Sequence, residues 1–289
     1  MTPLHILDVK NELGEGVIWD SRTHSAVWTD IQSSRFWQWQ PGSEPTSFAL
    51  PERLGCIALT ETVGTYLGGF ESGFARFTPA TGAFEMLAPI TAQHSHLRLN
   101  DGRVDRSGTF WAGSMVEAAG DPLGSLWRYD GGGKATSFFH DIKIPNSLCW
   151  SRDGTQMYFT DTLRQTIWRY AFDAVDGPVG DPAVFATTSG ARYPDGSCID
   201  AEDHMWNAQW ASGEVVRYRP NGSIERRIKL PVSQPSCVAF GGPNLDLLMI
   251  TTARVTLTAE HLAEQPLAGA LFIYQTDVTG LPETICTRC

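Results

Sequence analysis

Two stretches of the chain follow the same plan: IPNSLCWSRDGTQMYFTDT at residues 144–162 and YPDGSCIDAEDHMWNAQW at residues 193–210. When they are aligned on the proline of each, the cysteines that follow four residues later also coincide. Each stretch starts with a polar side chain able to bind a metal, continues with apolar residues, turns at an acidic or glycine-containing tip and becomes apolar and aromatic again. The first copy carries Asn146 where the second carries Asp195, so the copies share a framework and differ in one polar side chain.

Four further segments follow the same plan, so the chain contains six copies of it. Their starting points are separated by 40 to 49 residues. A period in the forties, with short strands separated by glycine, aspartate and asparagine turns, is typical of a β-propeller. The six copies start near Glu15, Gly55, Asn100, Asn146, Asp195 and Ser236.

The third copy, RLNDGRVDRSGTFWAGSM from Arg98, shows the parts of the repeat. A first strand leads through Val104 into a turn at residues 105–108, and a second strand is predicted over Thr109–Ser114. Alternating apolar residues, many of them β-branched or aromatic, and turn residues about every ten positions indicate strands rather than helices. One helix is predicted, in TAEHLAEQP, with Thr258 as its N-cap.

These features predict a single all-β domain over residues 1–289, a six-bladed β-propeller with four-stranded blades around a central channel. The chain shows no linker, no low-complexity segment and no break in composition. The stretch LHILDV at residues 4–9 is predicted to complete the last blade, because closing the ring removes an exposed sheet edge.

Charge and hydropathy narrow the range of partners. The 289 residues carry a formal net charge of −10 at pH 7, which argues against binding to a nucleic-acid backbone or to an anionic membrane surface. The chain has no run of about 18 apolar residues, and its start lacks the basic and apolar segments of a secretory signal. We therefore expect a cytoplasmic protein without a membrane partner and, by analogy with other closed propellers, a monomer.

The sequence contains six cysteines. Without a secretory signal they need not form a disulfide framework, and Cys149 and Cys198, which stand at equivalent places in apolar strands, are expected to be buried free thiols. The terminal CTRC, residues 286–289, has the spacing of a redox or zinc pair but has no second pair of ligands nearby. We expect it to be a frayed end.

Polar residues stand near the start of the first strand in four copies, where a packed channel would need apolar or small ones. Because the copies are equivalent, these side chains are expected to converge at one mouth of the channel. Two carboxylates and two amides make an oxygen-rich site that suits Ca²⁺, Mg²⁺ or Mn²⁺ and can hold Zn²⁺ or Fe²⁺. The structural alternative is that they cap turns and bridge the blades by hydrogen bonds. The four residues are Glu15, Asn100, Asn146 and Asp195.

Eight motifs follow one another from Leu13 to Phe272: LGEG, RLNDGRVD, FWAGSM, IPNSLCWS, YPDGSCIDAEDHMW, FGGPN, TTAR and PLAGALF. This ordered set resembles the SMP-30/gluconolactonase/luciferin-regenerating-enzyme family. The family is a six-bladed propeller with one divalent metal ion in its channel, and many members hydrolyse sugar-acid lactones. The resemblance therefore implies a lactonase of sugar metabolism that acts on a small sugar lactone with one divalent ion, Ca²⁺, Zn²⁺, Mn²⁺, Mg²⁺ or Fe²⁺.

The resemblance also implies that Glu15 of LGEG, Asn146 of the PN motif and Asp195 of the PDG motif bind the metal ion. Asp195 would in addition be the catalytic carboxylate, which takes a proton from water and returns it to the leaving ring oxygen. Metal ligation lowers the pKa of a carboxylate and weakens it as a base. The scheme therefore requires Asp195 to bind the metal through one oxygen; otherwise a hydroxide held by the metal is the better nucleophile.

The resemblance assigns three further residues to substrate binding. Arg98 and Asn100 of RLND would contact the substrate, with Asn100 close to the metal. Glu117 follows the GSM motif, where family members carry lid residues that shape substrate choice. For Arg98 the structural alternative is an ion pair with Asp101 or with another acid of the channel.

Two other functions on the same scaffold stay open. One is hydrolysis of another ester or of a phosphotriester, which an all-apolar rim would favour; the other is a non-enzymatic calcium-binding propeller. Because GxSxG, GxGxxG and GxxxxGK[ST] are all missing from the sequence, a serine hydrolase or a nucleotide-binding protein has no support. Gln209 and Trp210 take a wall position that varies in the family. Asp30 and Asp161, which end VWTD and YFTD, are expected to satisfy turn N–H groups.

Overall fold

The structure is a computed structural model that describes residues 1–90, 96–117 and 122–288. Its strands form six sheets and confirm the predicted six-bladed β-propeller. The innermost strand of each blade contacts the innermost strand of the next, and the sixth contacts the first, so the ring closes around a central channel. Among the described residues, no helix is long and apolar enough to cross a membrane.

Four of the six blades consist of four strands that follow one another outward in chain order, and each of the other two also includes a strand from a chain terminus. The first strand of the chain is β1, His5–Leu7. Blade one consists of β2 Gly14–Asp20, β3 Ser25–Asp30, β4 Arg35–Trp39 and β5 Thr46–Ala49. Blade two contains β6 Leu54–Thr60, β7 Tyr66–Phe70, β8 Gly73–Thr78 and β9 Ala83–Pro89. Blade three consists of β10 Leu97–Val104, β11 Phe110–Val116, β12 Leu126–Gly131 and β13 Lys134–Ser137.

The second half of the chain repeats this arrangement. Blade four consists of β14 Pro145–Trp150, β15 Gln156–Asp161, a 3₁₀ turn Thr162–Arg164, β16 Thr166–Asp173 and β17 Gly177–Thr187. Blade five consists of β18 Tyr193–Ile199, β19 Met205–Trp210, β20 Glu214–Tyr218 and β21 Ile224–Lys229. Blade six contains β22 Pro235–Gly241, β23 Leu247–Thr252 and β24 Leu271–Gln275, with α1 Ala259–Glu264 before β24. The last strand is β25, Ile285–Cys286.

The N-terminal strand closes the ring as predicted. β1 pairs in antiparallel fashion with β24 and becomes the outer strand of blade six. The predicted helix is also confirmed, because α1 follows Thr258, whose Oγ1 accepts a hydrogen bond from the backbone N–H of His261 at 3.3 Å.

The prediction of a frayed C-terminus was wrong for its described part. β25 pairs in parallel with β6, so blade two has five strands rather than four. Cys286 is fully buried in this strand, and the N–H of Thr287 donates to the carbonyl of Gly108 at 3.0 Å. Cys289 lies outside the described residues. Backbone pairing and burial of an apolar side chain therefore hold the tail against the propeller.

The core lies between neighbouring blades and consists of the apolar faces of their strands. Six tryptophans with at most 2% exposure are among its largest members, which explains why aromatic residues recur in the repeats. Cys149 and Cys198 are buried free thiols, as predicted. The six tryptophans are Trp19, Trp28, Trp39, Trp111, Trp150 and Trp206.

Candidate metal and substrate site

The innermost strand of every blade pairs irregularly with its neighbour near its start. In blades one and four the register shifts after Glu15 and Asn146, and in blade five it shifts after Pro194. A β-bulge bends the strand and re-aims the side chains beside it. Gly16 and Ser147, which follow Glu15 and Asn146, have positive φ angles of 58° and 60°. The same local irregularity thus recurs at each predicted ligand.

Asp30 and Asp161 hold the start of two of these strands in place. Each carboxylate accepts hydrogen bonds from two successive backbone N–H groups, those of residues 12–13 and of residues 143–144 respectively. The structural role predicted for both aspartates is therefore confirmed. Because the anchored segments lead directly into β2 and β14, these bonds also fix the backbone from which Glu15 and Asn146 project.

A cavity of about 380 Å³ opens at this end of the channel. It brings together five of the six predicted site residues, Glu15, Arg98, Asn100, Asn146 and Asp195. Glu117 does not line the cavity, although it contacts Arg98. The remaining walls are formed largely by apolar and aromatic side chains, among them Leu13, Met115, Ile144, Leu163, Tyr193, Trp210 and Val255.

The two carboxylates of the site are almost completely buried, with exposures of 7% for Glu15 and 5% for Asp195. Burial, followed by the charge of Asp101, raises the pKa of Glu15 from 4.5 to about 8. Burial and then the charge of Glu15 raise the pKa of Asp195 well above its usual range. Among the described residues, neither carboxylate forms an ion pair with an arginine or lysine. The site therefore holds two buried carboxyl groups whose ionised forms have no ion-pair partner to stabilise them.

The two amides form a chain of hydrogen bonds beside these carboxylates. Nη1 of Arg98 donates to Oδ1 of Asn100 at 2.6 Å. Nδ2 of Asn100 donates to the carbonyl of Pro145 at 2.9 Å and to Oδ1 of Asn146 at 3.1 Å. Oδ1 of Asn100 accepts a short bond from a charged guanidinium, whereas Oδ1 of Asn146 accepts a longer one from a neutral amide, so the oxygen of Asn146 is the more available of the two for a cation.

Arg98 is 4% exposed and forms an ion pair in which its Nε lies 2.6 Å from Oε1 of Glu117. The alternative foreseen for Arg98, a pair with a nearby acid, is thus observed, with Glu117 rather than Asp101 as the acid. Burial raises the pKa of Glu117, but the charges of Arg98 and Arg53 outweigh it and lower the pKa to about 2. Glu117 is therefore a firmly ionised partner of Arg98.

Glu117 is held from its other side as well. Its Oε2 lies 2.5 Å from Nη1 of Arg53, and its Oε1 accepts a further bond from Gln32 at 3.3 Å. Arg53 in turn pairs with Glu71 at 2.8 Å. Residues 118–121, which follow Glu117, lie outside the described residues. In the described part, the contacts of Glu117 join the rim of blade two to Arg98.

Two wall residues differ from the sequence-based expectation. Gln209 was grouped with Trp210 as a wall position, but Gln209 is fully buried and donates from Nε2 to Oδ1 of Asn207 and to the hydroxyl of Tyr218. Successive residues of a strand point to opposite faces, so Trp210 alone lines the cavity. Thr162 lines it too and was missed, although it directly follows the YFTD motif.

The donor set fits a hard divalent cation. Two buried carboxylates without an ion-pair partner and one amide oxygen are ligands that Ca²⁺, Mg²⁺ and Mn²⁺ prefer. The described residues contain no group of three or more His, Cys, Asp and Glu side chains placed to hold a metal ion, so the set depends on the amide. Glu15, Asn146 and Asp195 would hold the cation, and a charge there would relieve the cost of burying both carboxylates.

The chain matches known proteins over most of its length. A family model described as the SMP-30/Gluconolactonase/LRE-like region matches residues 13–254. An L-arabinolactonase from Azospirillum brasilense is 37% identical over 285 residues, which is 96% of this chain and 92% of that protein. A 6-deoxy-6-sulfogluconolactonase from Pseudomonas putida is 36% identical over 278 residues, 94% of each chain.

The fold is also that of a solved structure. The crystal structure of a calcium-binding protein, regucalcin, from Agrobacterium tumefaciens superimposes with a TM-score of 0.92 at 34% sequence identity. The match covers 96% of this chain and 95% of the other.

Proposed function

We propose that this chain, which belongs to the SMP-30/gluconolactonase/LRE-like family, is a lactonase that hydrolyses a sugar-acid lactone to the free aldonic acid with the help of one bound divalent metal ion. Relatives that are 36–37% identical over at least 94% of the chain are named as lactonases of sugar acids, which supports the reaction and the substrate class. Dependence on a metal, a monomeric state and a cytoplasmic location stay predictions.

One observation carries the proposal: two buried carboxylates without an ion-pair partner share a cavity with a buried arginine and two amides. If the cavity served only for packing, burying these carboxylates would lower the stability of the protein and no interaction would compensate for that loss. Titratable groups with perturbed pKa values in a cleft are typical of functional sites. The arrangement therefore favours a site for a cation and a polar ligand.

A divalent cation held by Glu15, Asn146 and Asp195 would supply a Lewis acid that polarises the lactone carbonyl. Asp195 would accept a proton from the attacking water as the oxygen of that water bonds to the carbonyl carbon. The ring C–O bond then breaks, and Asp195 returns the proton to the ring oxygen, which becomes a hydroxyl. Burial raises the pKa of Asp195 whereas a neighbouring cation lowers it, so the two effects oppose each other.

Arg98 and Asn100 would orient the polyhydroxy part of the substrate. The hydrogen bonds that Arg98 makes within the described residues come from Nε and Nη1, which leaves Nη2 as a donor for a ligand. A guanidinium in a largely desolvated site stabilises developing negative charge on oxygen more strongly than it would in water. Because Glu117 fixes Arg98, the donor is positioned before the substrate binds.

The test is hydrolysis of sugar lactones by metal-stripped protein, followed as acid release at constant pH. Ca²⁺, Mg²⁺, Mn²⁺, Zn²⁺ and Fe²⁺ are added back one at a time, and the panel contains five- and six-membered lactones of several sugar acids. We expect at least one pair of metal and lactone to give rapid ring opening. The proposal fails if no lactone opens faster than in buffer with any of the metals.

A second candidate, hydrolysis of a less polar ester, is favoured by the apolar side of the cavity. Leu13, Met115 and Trp210 line the cavity together with the polar groups, so its lining is mixed rather than all polar or all apolar. An aryl ester and a phosphotriester therefore belong in the same assay. Faster cleavage of either one than of every lactone would replace the lactonase proposal with this candidate.

A further inference from the structure

Thr162 stands where blade four turns away from the channel, directly after β15. Its backbone N–H donates to the carbonyl of Ile144 at 2.9 Å. Ile31 in blade one and Ala253 in blade six make the corresponding bond at 2.9 and 3.0 Å, so the three positions are equivalent. Of these three residues, Thr162 is the one that carries a hydroxyl group.

The hydroxyl of Thr162 has two partners whose roles are fixed by chemistry. Oγ1 lies 2.9 Å from the carbonyl oxygen of Pro194, which can only accept, so the single hydroxyl proton is directed there. Oγ1 also lies 2.7 Å from the side-chain amide of Asn146, from which it must then accept a hydrogen bond. The amide group that donates is Nδ2, and Oδ1 is turned away from Thr162.

Orientation matters for an amide in a way that it does not for a carboxylate. Either oxygen of Glu15 or Asp195 can bind a cation, whereas a flipped Asn146 would present its NH₂ group and repel the ion. The amide ligand belongs to blade four, and blade four is also where the threonine is found. In blade one, which supplies the carboxylate of Glu15, the equivalent residue is Ile31.

We infer that Thr162 is a positioning residue that sets the side-chain amide of Asn146 so that Oδ1 faces the cation. The inference rests on the metal site of the proposed function. The same hydroxyl ties down the carbonyl of Pro194, the residue before Asp195. Thr162 therefore couples two of the proposed ligands, which lie on neighbouring blades.

A second contact limits the size of the expected effect. Nδ2 of Asn100 donates to Oδ1 of Asn146 at 3.1 Å, and Asn100 is itself oriented by Arg98 and by the carbonyl of Pro145. Asn146 is thus held at both ends of its amide. Loss of the Thr162 hydroxyl should weaken binding of the cation without abolishing it.

The experiment compares Mn²⁺ binding to metal-stripped wild type and Thr162→Val, measured from the electron paramagnetic resonance signal of free Mn²⁺. Valine keeps the shape of threonine and removes the hydroxyl. We expect Kd to rise by about 10-fold or more, as is typical when a residue that orients a ligand is lost. Thr162→Ser should restore binding close to that of wild type.

Two variants separate orientation of the amide from general packing. Thr252 is also buried and donates from Oγ1 to the carbonyl of Ala270 at 2.7 Å, in a blade without a proposed ligand, so Thr252→Val should bind Mn²⁺ like wild type. In an Asn146→Asp background the ligand has two equivalent oxygens. Adding Thr162→Val to that background should therefore cost much less affinity than it does in wild type.

The outcomes distinguish this inference from the proposed function. If wild type binds Mn²⁺ and Thr162→Val binds it equally well, the inference is overturned while the metal site stands. If wild type binds none of Mn²⁺, Ca²⁺ and Zn²⁺, the metal site fails and the inference fails with it. Thr162→Ala removes the same hydroxyl and replaces Thr162→Val in the measurement if the valine variant does not fold. It must show the same loss of Mn²⁺ affinity.

Discussion

The two ends of the central channel are formed by the same innermost strands, but charged side chains are paired at one end and unpaired at the other. At the mouth that holds the candidate site, Glu15 and Asp195 are buried without an ion-pair partner among the described residues. Further along β10, Arg103 forms an ion pair with Glu283, whose Oε1 lies 3.2 Å from its Nε. Arg103 also reaches the carbonyls of Val17 at 3.4 Å and Ser197 at 2.6 Å.

The ion pair at one end of the channel therefore stabilises the fold, whereas the unpaired carboxyl groups at the other end are suited to binding a ligand. Burial lowers the pKa of Arg103, but Glu283 and smaller contributions from Cys237, Cys198 and Asp101 together outweigh it and the pKa is raised, so the folded state favours the charged guanidinium. The pKa values of Glu15 and Asp195 are raised as well, which for carboxylates means that the ionised form is disfavoured. The first arrangement stabilises the metal-free protein, whereas the second destabilises it.

The largest expected effect is on activity, from Asp195→Asn at the candidate site. We expect kcat/KM for lactone hydrolysis to fall by about 10³-fold or more, since this carboxylate is proposed as both base and ligand. The metal-free variant should melt at a temperature equal to or above that of metal-free wild type, because a buried carboxyl group whose ionised form is disfavoured has been removed. Loss of both activity and metal-free stability would contradict the division between the two ends.

The metal-free protein should become less stable as the pH rises from about 4.5 to 8. The pKa of Glu15 is about 8 in the folded state and 4.5 in the unfolded state. Between these values only the unfolded state loses the proton, so the folded state binds more protons and its stability falls with rising pH. Thermal unfolding in a chelator at several pH values measures this effect.

Two comparisons test whether Glu15 causes this fall of stability with pH. Glu15→Gln should flatten the fall of melting temperature in the chelator, because glutamine does not ionise. A saturating divalent cation should also flatten it in wild type, since a bound cation favours the ionised carboxylate. Parallel curves for wild type and Glu15→Gln would show that other groups cause the pH dependence.

At the other end of the channel, Glu283→Gln should reduce stability and leave the site untouched. Breaking a fully buried ion pair costs about 3–5 kcal/mol. Because the side chains of Arg103 and Glu283 are 12% and 14% exposed, we expect about 1–2 kcal/mol of unfolding free energy to be lost, measured by urea denaturation. Mn²⁺ affinity should stay within about twofold of wild type. A large loss of affinity would show that the two ends are coupled.

The sequence alone was enough to predict the fold and most of the residues that line the mouth of the channel. A repeat of 40 to 49 residues makes equivalent positions converge around one axis, so the sequence alone predicts that Glu15, Asn100, Asn146 and Asp195 lie together. Their predicted roles as ligands, base and substrate contacts stay predictions. What the repeat could not supply was the orientation of side chains, such as the amide of Asn146.

The contacts that the sequence did not predict join residues far apart in the chain. Arg53 meets Glu117 across 64 positions, and neither residue stands at the repeat position that carries the predicted ligands. The strand β25 was missed because two residues beside a terminus carry too little periodicity to indicate a strand. In both cases the partner blade, rather than the local pattern, decides the contact.

The smallest expected effect tests whether the ion pairs at the rim of blade two serve the site. Arg53→Met keeps an apolar stem but removes the guanidinium that holds Glu117 beside Arg98. We expect kcat/KM to fall about fivefold, chiefly through KM, since Arg98 keeps one partner and a partly exposed pair contributes about 1 kcal/mol. The matched control is Arg76→Met, because Arg76 also belongs to blade two and pairs with Glu85 at 2.7 Å, away from the cavity. If both variants keep the kinetics of wild type, the rim pairs are structural like those at the other end of the channel; a loss in Arg53→Met alone extends the functional region beyond the residues that line the cavity.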